Sequence, residues 1–268
     1  MTTSIIVSGA RGKMGSKILS LAFQDSLFKV VGAIEREGHS ELGNDIGELL
    51  GLGRKGVALS SDAGKALQEA DVHIEFSAPQ ATLAHLKEAI RFRKAVVIGT
   101  TGFSPRELQE VMNAGSAIPV LWTPNMSVGV NLLFEMVAEA ARKLGPDYEV
   151  EIVEAHHHSK KDSPSGTAKF LAEKIAAAKK VKLDSAVVYG RKGLEETRPK
   201  DQIGIHSLRM GDVVGDHTII FATEGERLEF THRASSRDTF AIGALRAARF
   251  LAGKAPKFYT MQDVLSEP

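Results

Sequence analysis

A short apolar strand that runs directly into a glycine-rich turn is the feature that most constrains the fold of this chain. Residues 4–8 (Ser-Ile-Ile-Val-Ser) form the predicted strand, and Gly9, Gly12 and Gly15 follow before a helical pattern begins. Glycines at such a turn let a pyrophosphate approach the backbone and let the helix pack closely on the strand. The context predicts a dinucleotide-binding unit, although the spacing G-x-x-G-x-x-G departs from the commonest form. A glycine-rich turn that binds no nucleotide is the alternative.

Strands and helices then alternate through the first half of the chain. Ser104 and Glu107 form a capping box, and Pro105 takes the first position of the helix that they begin. The alternation predicts an α/β fold with a parallel, doubly wound sheet of the Rossmann type. The patterns place strands at residues 29–34, 72–77, 95–98 and 118–122, and helices at residues 80–92 and from residue 104 onward.

Several polar or glycine-rich segments fall at the predicted carboxyl ends of these strands, where open α/β sheets bind their ligands. Glu35 lies about twenty residues beyond the last glycine, where an acid can accept hydrogen bonds from the adenosine ribose. Arg36 beside it could pair with a 2′-phosphate, so both NADH and NADPH are predicted. Residues 99–102 and Asn125 also follow predicted strands, and we expect them to contact the cofactor. Without a cofactor, Glu35 would be an ordinary solvated charge, residues 99–102 a tight turn and Asn125 a local turn cap.

The second half of the chain has a different pattern. A helix is predicted at residues 130–144, and closely spaced strands follow at residues 186–189, 205–210, 217–222 and 227–232. Turn signals separate these strands, which predicts a mixed or antiparallel sheet with one or two helices, as in an α+β substrate domain. The pattern changes near residues 127 and 236, so these are the predicted domain boundaries. A helix at residues 240–251 and a capping box from Thr260 to Asp263 complete the chain.

Residues 154–167 (Glu-Ala-His-His-His-Ser-Lys-Lys-Asp-Ser-Pro-Ser-Gly-Thr) concentrate proton donors and cations between a predicted strand and a predicted helix. The strand covers residues 149–155, and the helix begins at about Gly166 with Ser163 or Ser165 as its N-cap. Because a helix start offers unpaired backbone N–H groups and a positive dipole end, it can bind an anion. The segment therefore predicts catalysis on a carboxylated substrate.

Two other interpretations of this segment are open to test. It could be a solvated loop with ordinary surface charges, or its three histidines could bind a metal ion. Successive side chains of an extended segment point to opposite faces, so His156, His157 and His158 cannot easily share one ion. The segment also has no nearby cysteine and no His-x-x-x-His spacing. We therefore predict no metal site.

Composition narrows the remaining classes of function. The 268 residues suffice for one large domain or two ordinary ones, and 43% hydrophobic and 25% charged residues are typical of a globular protein. A net charge of +1 argues against a general nucleic-acid binder. The absence of cysteine excludes disulfides, thiol catalysis and thiolate metal sites. No signal-peptide pattern or membrane-spanning apolar run is found, so we expect a cytoplasmic protein without membrane partners.

These residues together resemble the 4-hydroxy-tetrahydrodipicolinate reductase family, formerly called dihydrodipicolinate reductase, of bacterial lysine and diaminopimelate biosynthesis. The family signature is Glu-x-His-His-x-x-Lys-x-Asp-x-Pro-Ser-Gly-Thr-Ala, and residues 154–168 match it at every fixed position. The resemblance spans nearly the whole chain. It extends to residues 9–15, 35–38, 99–102, 127–131 and 234–237 and to Asn125.

The resemblance implies a homotetramer that reduces a cyclic dicarboxylate to tetrahydrodipicolinate with NADH or NADPH. Its Rossmann domain would comprise residues 1–127 and 237–268, and a mixed-sheet domain of residues 128–236 would bind the substrate and form the oligomer. Two rivals remain, another nicotinamide-dependent dehydrogenase and a non-catalytic nucleotide-sensing protein. The polar set of residues 156–167 argues against the first, and the presence of His156 and Lys160 argues against the second.

The resemblance also implies roles for individual residues. His156 would be the proton donor or acceptor and Lys160 a second proton donor, whereas His157, Gly166 and Thr167 would hold the substrate. Arg36 would reach the 2′-phosphate of the cofactor. The other cofactor residues would be Gly9, Ala10, Arg11, Gly12, Lys13, Met14, Glu35, Gly99, Thr100, Thr101, Thr123, Pro124, Asn125 and Met126.

Two positions depart from the family pattern. Ala78 stands where some members carry a basic residue, and Met126 stands where others carry an aromatic residue. Both positions border the expected cofactor site. The balance between NADH and NADPH is therefore open.

Overall fold

The computed structural model describes residues 2–194 and 197–267, which divide into two compact units. The first unit contains the chain up to Val128 together with the segment from Arg237 onward. The second unit is Gly129–Ser236. No helix of the described residues combines the length and the apolar character that a membrane span requires.

Strands and α-helices follow one another along both units. The strands are Thr3–Ser8 (β1), Phe28–Ile34 (β2), Leu59–Ser60 (β3), Val72–Glu75 (β4), Ala95–Ile98 (β5), Pro119–Trp122 (β6), Glu149–His156 (β7), Val187–Tyr189 (β8), Ile203–Arg209 (β9), Gly215–Thr223 (β10), Glu226–Ala234 (β11) and Lys257–Tyr259 (β12). The α-helices are Lys13–Ala22 (α1), Ile46–Leu49 (α2), Ala63–Leu67 (α3), Pro79–Phe92 (α4), Pro105–Asn113 (α5), Val128–Leu144 (α6), Gly166–Lys179 (α7), Leu183–Ala186 (α8), Asp238–Leu251 (α9) and Met261–Leu265 (α10).

The first unit is a parallel sheet of seven strands in the order β12-β6-β5-β4-β1-β2-β3. All of its strand pairs are parallel. The sheet grows from β1 in two directions, to β2 and β3 on one side and to β4, β5 and β6 on the other, so the strand order reverses at β1. Apolar residues cover both faces: Ile5 and Val7 pack with α1 and α9, whereas Ile6 packs with α3 and α4. The predicted Rossmann-type fold is therefore confirmed, and the switch in strand order marks the edge where such sheets bind ligands.

The second unit is a mixed sheet of five strands in the order β11-β10-β7-β9-β8. Strand β10 runs antiparallel to β11 and β7, whereas β9 runs parallel to β7 and β8. One face is buried under α6 and α7, where Ile152 and Phe221 of the strands meet Phe134, Leu171 and Ile175 of the helices. The other face is half-buried. The predicted mixed-sheet fold is thus confirmed for this half of the chain.

Several predicted boundaries were wrong, and some elements were missed. The strand predicted at residues 186–189 begins at Val187, because Leu183–Ala186 forms the short helix α8. The patterns also missed α2, β3 and α3, which are too short to show a full period. Side-chain caps hold the two helices instead: Asp45 accepts hydrogen bonds from the N–H groups of Gly47 and Glu48, and Asp62 from that of Lys65. Strand β12 was also missed, and it extends the sheet beyond β6.

Candidate active site

The glycine-rich turn after β1 is shaped by close backbone packing. Gly9 has φ +72°, and a Cβ on it would lie 2.2 Å from the carbonyl oxygen of Phe76. A Cβ on Gly15 would lie 2.0 Å from the carbonyl oxygen of Gly9. Gly12 is the N-cap of α1 and provides no side-chain cap. The turn therefore presents the start of α1 at the carboxyl end of β1, which is the arrangement that binds pyrophosphate.

Glu35 lies directly beside this turn. One oxygen of its carboxylate accepts a hydrogen bond from the N–H of Arg11 (3.0 Å), and the other from the N–H of Arg36 (3.1 Å). The Arg11 side chain turns away to Glu41, with 2.6 Å from Nε to Oε2. Arg36 is exposed. The predicted acid and cation thus lie at the end of β2, next to the turn.

The remaining predicted cofactor segments follow β5 and β6 at the same edge of the sheet. A Cβ on Gly99 would collide with the Phe76 ring at 2.2 Å. The Thr100 hydroxyl oxygen accepts hydrogen bonds from the N–H of Ser77 (3.2 Å) and the hydroxyl of Thr82 (2.9 Å). The structure brings all the predicted cofactor residues to this edge. Gly12, Lys13 and Thr101 are exposed, whereas Ala10, Thr100, Thr123 and Met126 are buried and can offer mainly backbone groups.

A buried cluster near the same edge was not predicted. His73 Nε2 lies 2.7 Å from the Ser8 hydroxyl, and His85 Nδ1 lies 2.7 Å from Glu75 Oε2. Burial raises the pKa of Glu75, but the hydrogen bond from His85 and the nearby His73 outweigh it, so the pKa is lowered. Burial lowers the pKa of His73 to about 4. The sequence did contain a signal for this cluster: His73 and Glu75 are titratable residues on one face of β4, which is otherwise apolar.

The cluster of His73, Glu75 and His85 offers three potential metal ligands within 4.8 Å of one another. The spacing of 2.7 Å between His85 and Glu75 is that of a hydrogen bond. Ligand atoms around a tetrahedral zinc ion, each about 2.0–2.2 Å from the metal, stand roughly 3.3 Å apart. The geometry therefore favours a hydrogen-bonded network over a metal centre.

In the second unit, His156 ends β7 and points to the same face of the sheet as Glu154. Its Nδ1 lies 2.6 Å from Glu154 Oε2, and the Glu154 side chain is fully buried. The carboxylate also accepts hydrogen bonds from both terminal nitrogens of Arg209 (2.9 and 2.8 Å) and from the N–H of Ser165 (3.0 Å). Burial raises the pKa of Glu154, but the hydrogen bonds from His156, Arg209, Ser207 and Ser165 outweigh it and hold the pKa far below its usual range.

Two residues of β10 flank the His156 ring. The His217 ring packs edge-on against it, with 5.3 Å between centroids, and lies 3.1 Å from the Ser165 hydroxyl. Burial and the nearby His156 lower the pKa of His217 to about 3, so this ring is neutral. A Cβ on Gly215 would lie 3.1 Å from His156 Nε2. Glycine at position 215 therefore leaves that nitrogen uncrowded.

The rest of the 154–167 segment folds around this core. Lys160 Nζ contacts both carboxylate oxygens of Asp162, at 2.8 and 2.9 Å. His157 Nδ1 lies 2.8 Å from the Ser159 hydroxyl, and His158 Nδ1 lies 2.9 Å from the carbonyl oxygen of Gly211. The three consecutive histidines thus have three separate partners.

The start of α7 completes the segment. Ser165 is the N-cap, and its hydroxyl accepts a hydrogen bond from the N–H of Ala168 (3.1 Å). Gly166 is exposed, and a Cβ there would meet no atom within 4 Å. The positive end of the helix dipole lies at this start, so it can accept a carboxylate in the same segment as His156 and Lys160. Gly166 and Thr167 lie at the helix start as predicted, whereas Arg209, His217 and Gly215 were not predicted from the sequence.

Comparison with known proteins identifies the family of this chain. Family models for the N-terminus and the C-terminus of dihydrodipicolinate reductase match residues 3–126 and 129–265. The chain belongs to the dihydrodipicolinate reductase family. Proteins named 4-hydroxy-tetrahydrodipicolinate reductase from Syntrophus aciditrophicus and Magnetococcus marinus are 46% and 48% identical to it, over 260 and 265 residues. These alignments cover 97% and 99% of this chain, and equal shares of the two relatives.

A solved member of the dihydrodipicolinate reductase family shares the fold. The dipicolinate-bound dihydrodipicolinate reductase from Paenisporosarcina sp. TG-14 superposes with a TM-score of 0.77 at 23% identity. The match covers 97% of this chain and 98% of that one. The resemblance to this family and the assignment as a reductase are confirmed, and residues 3–126 of the first unit match the family's N-terminal, nucleotide-binding part.

Proposed function

We propose that this chain catalyses the reduction of 4-hydroxy-tetrahydrodipicolinate to tetrahydrodipicolinate in lysine and diaminopimelate biosynthesis. The observation that carries the proposal is the polar cluster at the end of β7. There His156, held by a buried carboxylate, lies in one segment with Lys160 and an open helix start. Relatives that are named for this reaction match the chain over nearly its full length. Their similarity supports the same role for this cluster.

The second unit supplies the proton chemistry and the substrate contacts in this proposal. A nicotinamide cofactor supplies a hydride, so a proton must reach the substrate to balance it. His156 is the proton donor or acceptor, and Lys160 is a second proton donor. His157, Gly166 and Thr167 hold the carboxylates, through the imidazole and the N–H groups at the start of α7.

The first unit holds the cofactor in this proposal. A Cβ on Gly9 or Gly15 would fill space taken by backbone, which supports the tight turn that pyrophosphate binding needs. Each carboxylate oxygen of Glu35 accepts one backbone N–H and keeps a lone pair for a ribose hydroxyl. The exposed Arg36 can meet a 2′-phosphate. We therefore propose that both NADH and NADPH are used, with at most a modest preference.

We also propose a cytoplasmic homotetramer in which the second unit forms the subunit contacts. The face of its sheet opposite α6 and α7 carries apolar side chains on three neighbouring strands, Val153, Leu208 and Ile220. Val153 and Ile220 are half-buried, and Leu208 is exposed. These apolar side chains, next to the ion pair of Glu151 and His206 on the same face, support association. Sedimentation equilibrium tests the proposal, and a monomeric mass would overturn it.

An enzyme assay tests the proposed reaction. Oxidation of NADH or NADPH is followed with enzymatically generated 4-hydroxy-tetrahydrodipicolinate, and we expect turnover with both cofactors. Pyridine-2,6-dicarboxylate, a flat dicarboxylate, should inhibit competitively with the substrate. A folded protein that binds NADH without turnover would support a nucleotide-sensing protein instead, and turnover only with an amino-acid substrate would support a different dehydrogenase.

A further inference from the structure

We propose that Glu154 is a positioning residue that fixes the proton of His156 on Nδ1 and leaves Nε2 as the nitrogen that exchanges protons with the substrate. Arg209 holds Glu154 in place for this task. The inference rests on the proposed function, because it assigns atoms to the proton transfer in that reaction.

Strand geometry brings the groups around Glu154 together. Glu154 and His156 are two residues apart on β7, so their side chains lie on the same face of the sheet. On neighbouring strands, His217 is directly opposite Glu154, and Arg209 is directly opposite His156. These side chains all face the α7 side, which carries the apolar core of the second unit. The carboxylate is therefore buried at the polar end of this core.

The Glu154 carboxylate is surrounded by groups that can donate a hydrogen bond. Oε1 receives the N–H of Ser165 at 3.0 Å and Arg209 Nη2 at 2.8 Å. Oε2 receives Arg209 Nη1 at 2.9 Å and lies 2.6 Å from His156 Nδ1. The backbone donor and the Arg209 guanidinium both stabilise the ionised form, so this carboxyl carries no proton. The carboxylate can only accept from His156, so Nδ1 must carry the proton.

The opposite nitrogen of the ring is the one left for chemistry. A side chain at position 215 would crowd Nε2, and the glycine there has none. His217 beside the ring is neutral, because burial and the nearby His156 lower its pKa to about 3. It therefore packs against His156 without adding a charge. A carboxylate on Nδ1 also balances the positive charge that the ring carries when it is ready to donate from Nε2.

Arg209 connects this pair to the second proton donor. Its Nη2 donates to the backbone carbonyl oxygen of Asp162 at 2.7 Å, and the Asp162 carboxylate holds Lys160 Nζ. One guanidinium thus positions both the partner of His156 and the backbone of the residue that pairs with Lys160. Arg209 is therefore a positioning residue for both proton donors.

The variant Glu154→Gln tests the assignment. Two donors, the N–H of Ser165 and Arg209 Nη2, meet Oε1, whereas Arg209 Nη1 alone donates to Oε2. The amide oxygen should therefore take the Oε1 position and the NH₂ group the Oε2 position, with loss of the bond from Nη1. That NH₂ group would donate to Nδ1 and move the His156 proton to Nε2. In the Ser-His-Asp arrangement of serine proteases, the same exchange of carboxylate for amide imposes the wrong tautomer and lowers kcat by about 10⁴. We expect kcat to fall by at least about 100-fold here, with KM changed by less than about threefold.

Two further readouts separate positioning from general damage to the fold. The alkaline limb of the pH profile of kcat/KM should move to lower pH by about one unit or more in Glu154→Gln, because the amide cannot balance the charged ring. Glu154→Asp keeps a carboxylate and should restore part of kcat and the wild-type limb. Glu151→Gln is the matched control, since Glu151 lies on the same strand, facing away from His156, and is held by Arg191, Arg198 and His206. Its pH limb should not move.

A measurement on the unmodified protein covers the case in which Glu154→Gln fails to fold. Ring ¹⁵N chemical shifts of His156, assigned by their loss in His156→Gln, should show a proton on Nδ1 and none on Nε2 in the neutral ring. The opposite tautomer would overturn the inference, as would a Glu154→Gln enzyme with wild-type kcat and pH limb. An inactive wild-type protein would instead overturn the proposed function, which distinguishes the two failures.

Discussion

In the first unit the candidate binding edge is made largely of backbone, whereas in the second unit it is made of charged side chains. The glycine turn of the first unit requires residues without side chains, since a Cβ on Gly9 or Gly15 would overlap a carbonyl oxygen. The cluster of the second unit is defined by a buried carboxylate, Glu154, and the donors around it. The first edge should therefore be sensitive to added atoms, and the second to lost or altered charges.

The largest expected effect is on the backbone-made edge. Gly9→Ala places a Cβ 2.2 Å from the Phe76 carbonyl oxygen at φ +72°. We expect it to lower the free energy of unfolding by about 3 kcal/mol or more and to weaken NADH binding, measured by urea denaturation and cofactor titration. Gly253→Ala is the matched control, since Gly253 has φ +78° but no atom within 4 Å of a Cβ. It should cost only about 1–2 kcal/mol, and equal losses in the two variants would show that packing against Phe76 is unimportant.

The next effect concerns the charged edge. His156→Ala and Lys160→Ala should each lower kcat by about 100-fold, equivalent to about 2.7 kcal/mol, because each removes a proton donor. NADH affinity should change little, since both residues belong to the second unit. His158→Ala is the control: this exposed neighbour bonds the Gly211 carbonyl oxygen instead of the Glu154 network. Near-normal turnover in either variant would remove that residue from the mechanism.

The same contrast explains what could be predicted from the sequence. Glycine spacing and the alternation of strands and helices are local patterns, so the turn at Gly9 and the Rossmann-type sheet were accessible. The N-cap at Ser165 was one of two candidates for the same reason. Arg209, however, lies 55 residues from Glu154 in sequence and reaches it only through the pairing of β7 with β9. Register between strands is a tertiary property, and no local period records it.

A smaller effect is expected where charge meets the backbone-made edge. Arg36→Ala should weaken NADPH binding by roughly 1.5–3 kcal/mol, the scale of a hydrogen bond to a charged group. NADH binding should be almost unchanged, because NADH has no phosphate for Arg36 to meet. Isothermal titration with both cofactors measures the difference. Comparable losses for the two cofactors would show that Arg36 is structural, or that another cation holds the phosphate.

The smallest expected effect is a pH dependence of stability that arises from a buried side chain near the backbone-made edge. Burial lowers the pKa of His73 to about 4, so the folded protein keeps this ring neutral while the unfolded chain takes up a proton below about pH 6.5. The resulting stability is fully present above pH 6.5 and is lost as the pH falls towards 4. Between pH 8 and pH 5 we expect about 1–2 kcal/mol of the loss in unfolding free energy to come from this residue. Urea denaturation at each pH gives the unfolding free energy as a function of pH, and His73→Phe should reduce its fall by that amount. His39→Phe replaces a partly exposed ring and should leave the pH dependence unchanged. If His73→Phe kept the full slope, the acid sensitivity would belong to other groups, with the buried His217 of the second unit the first to test.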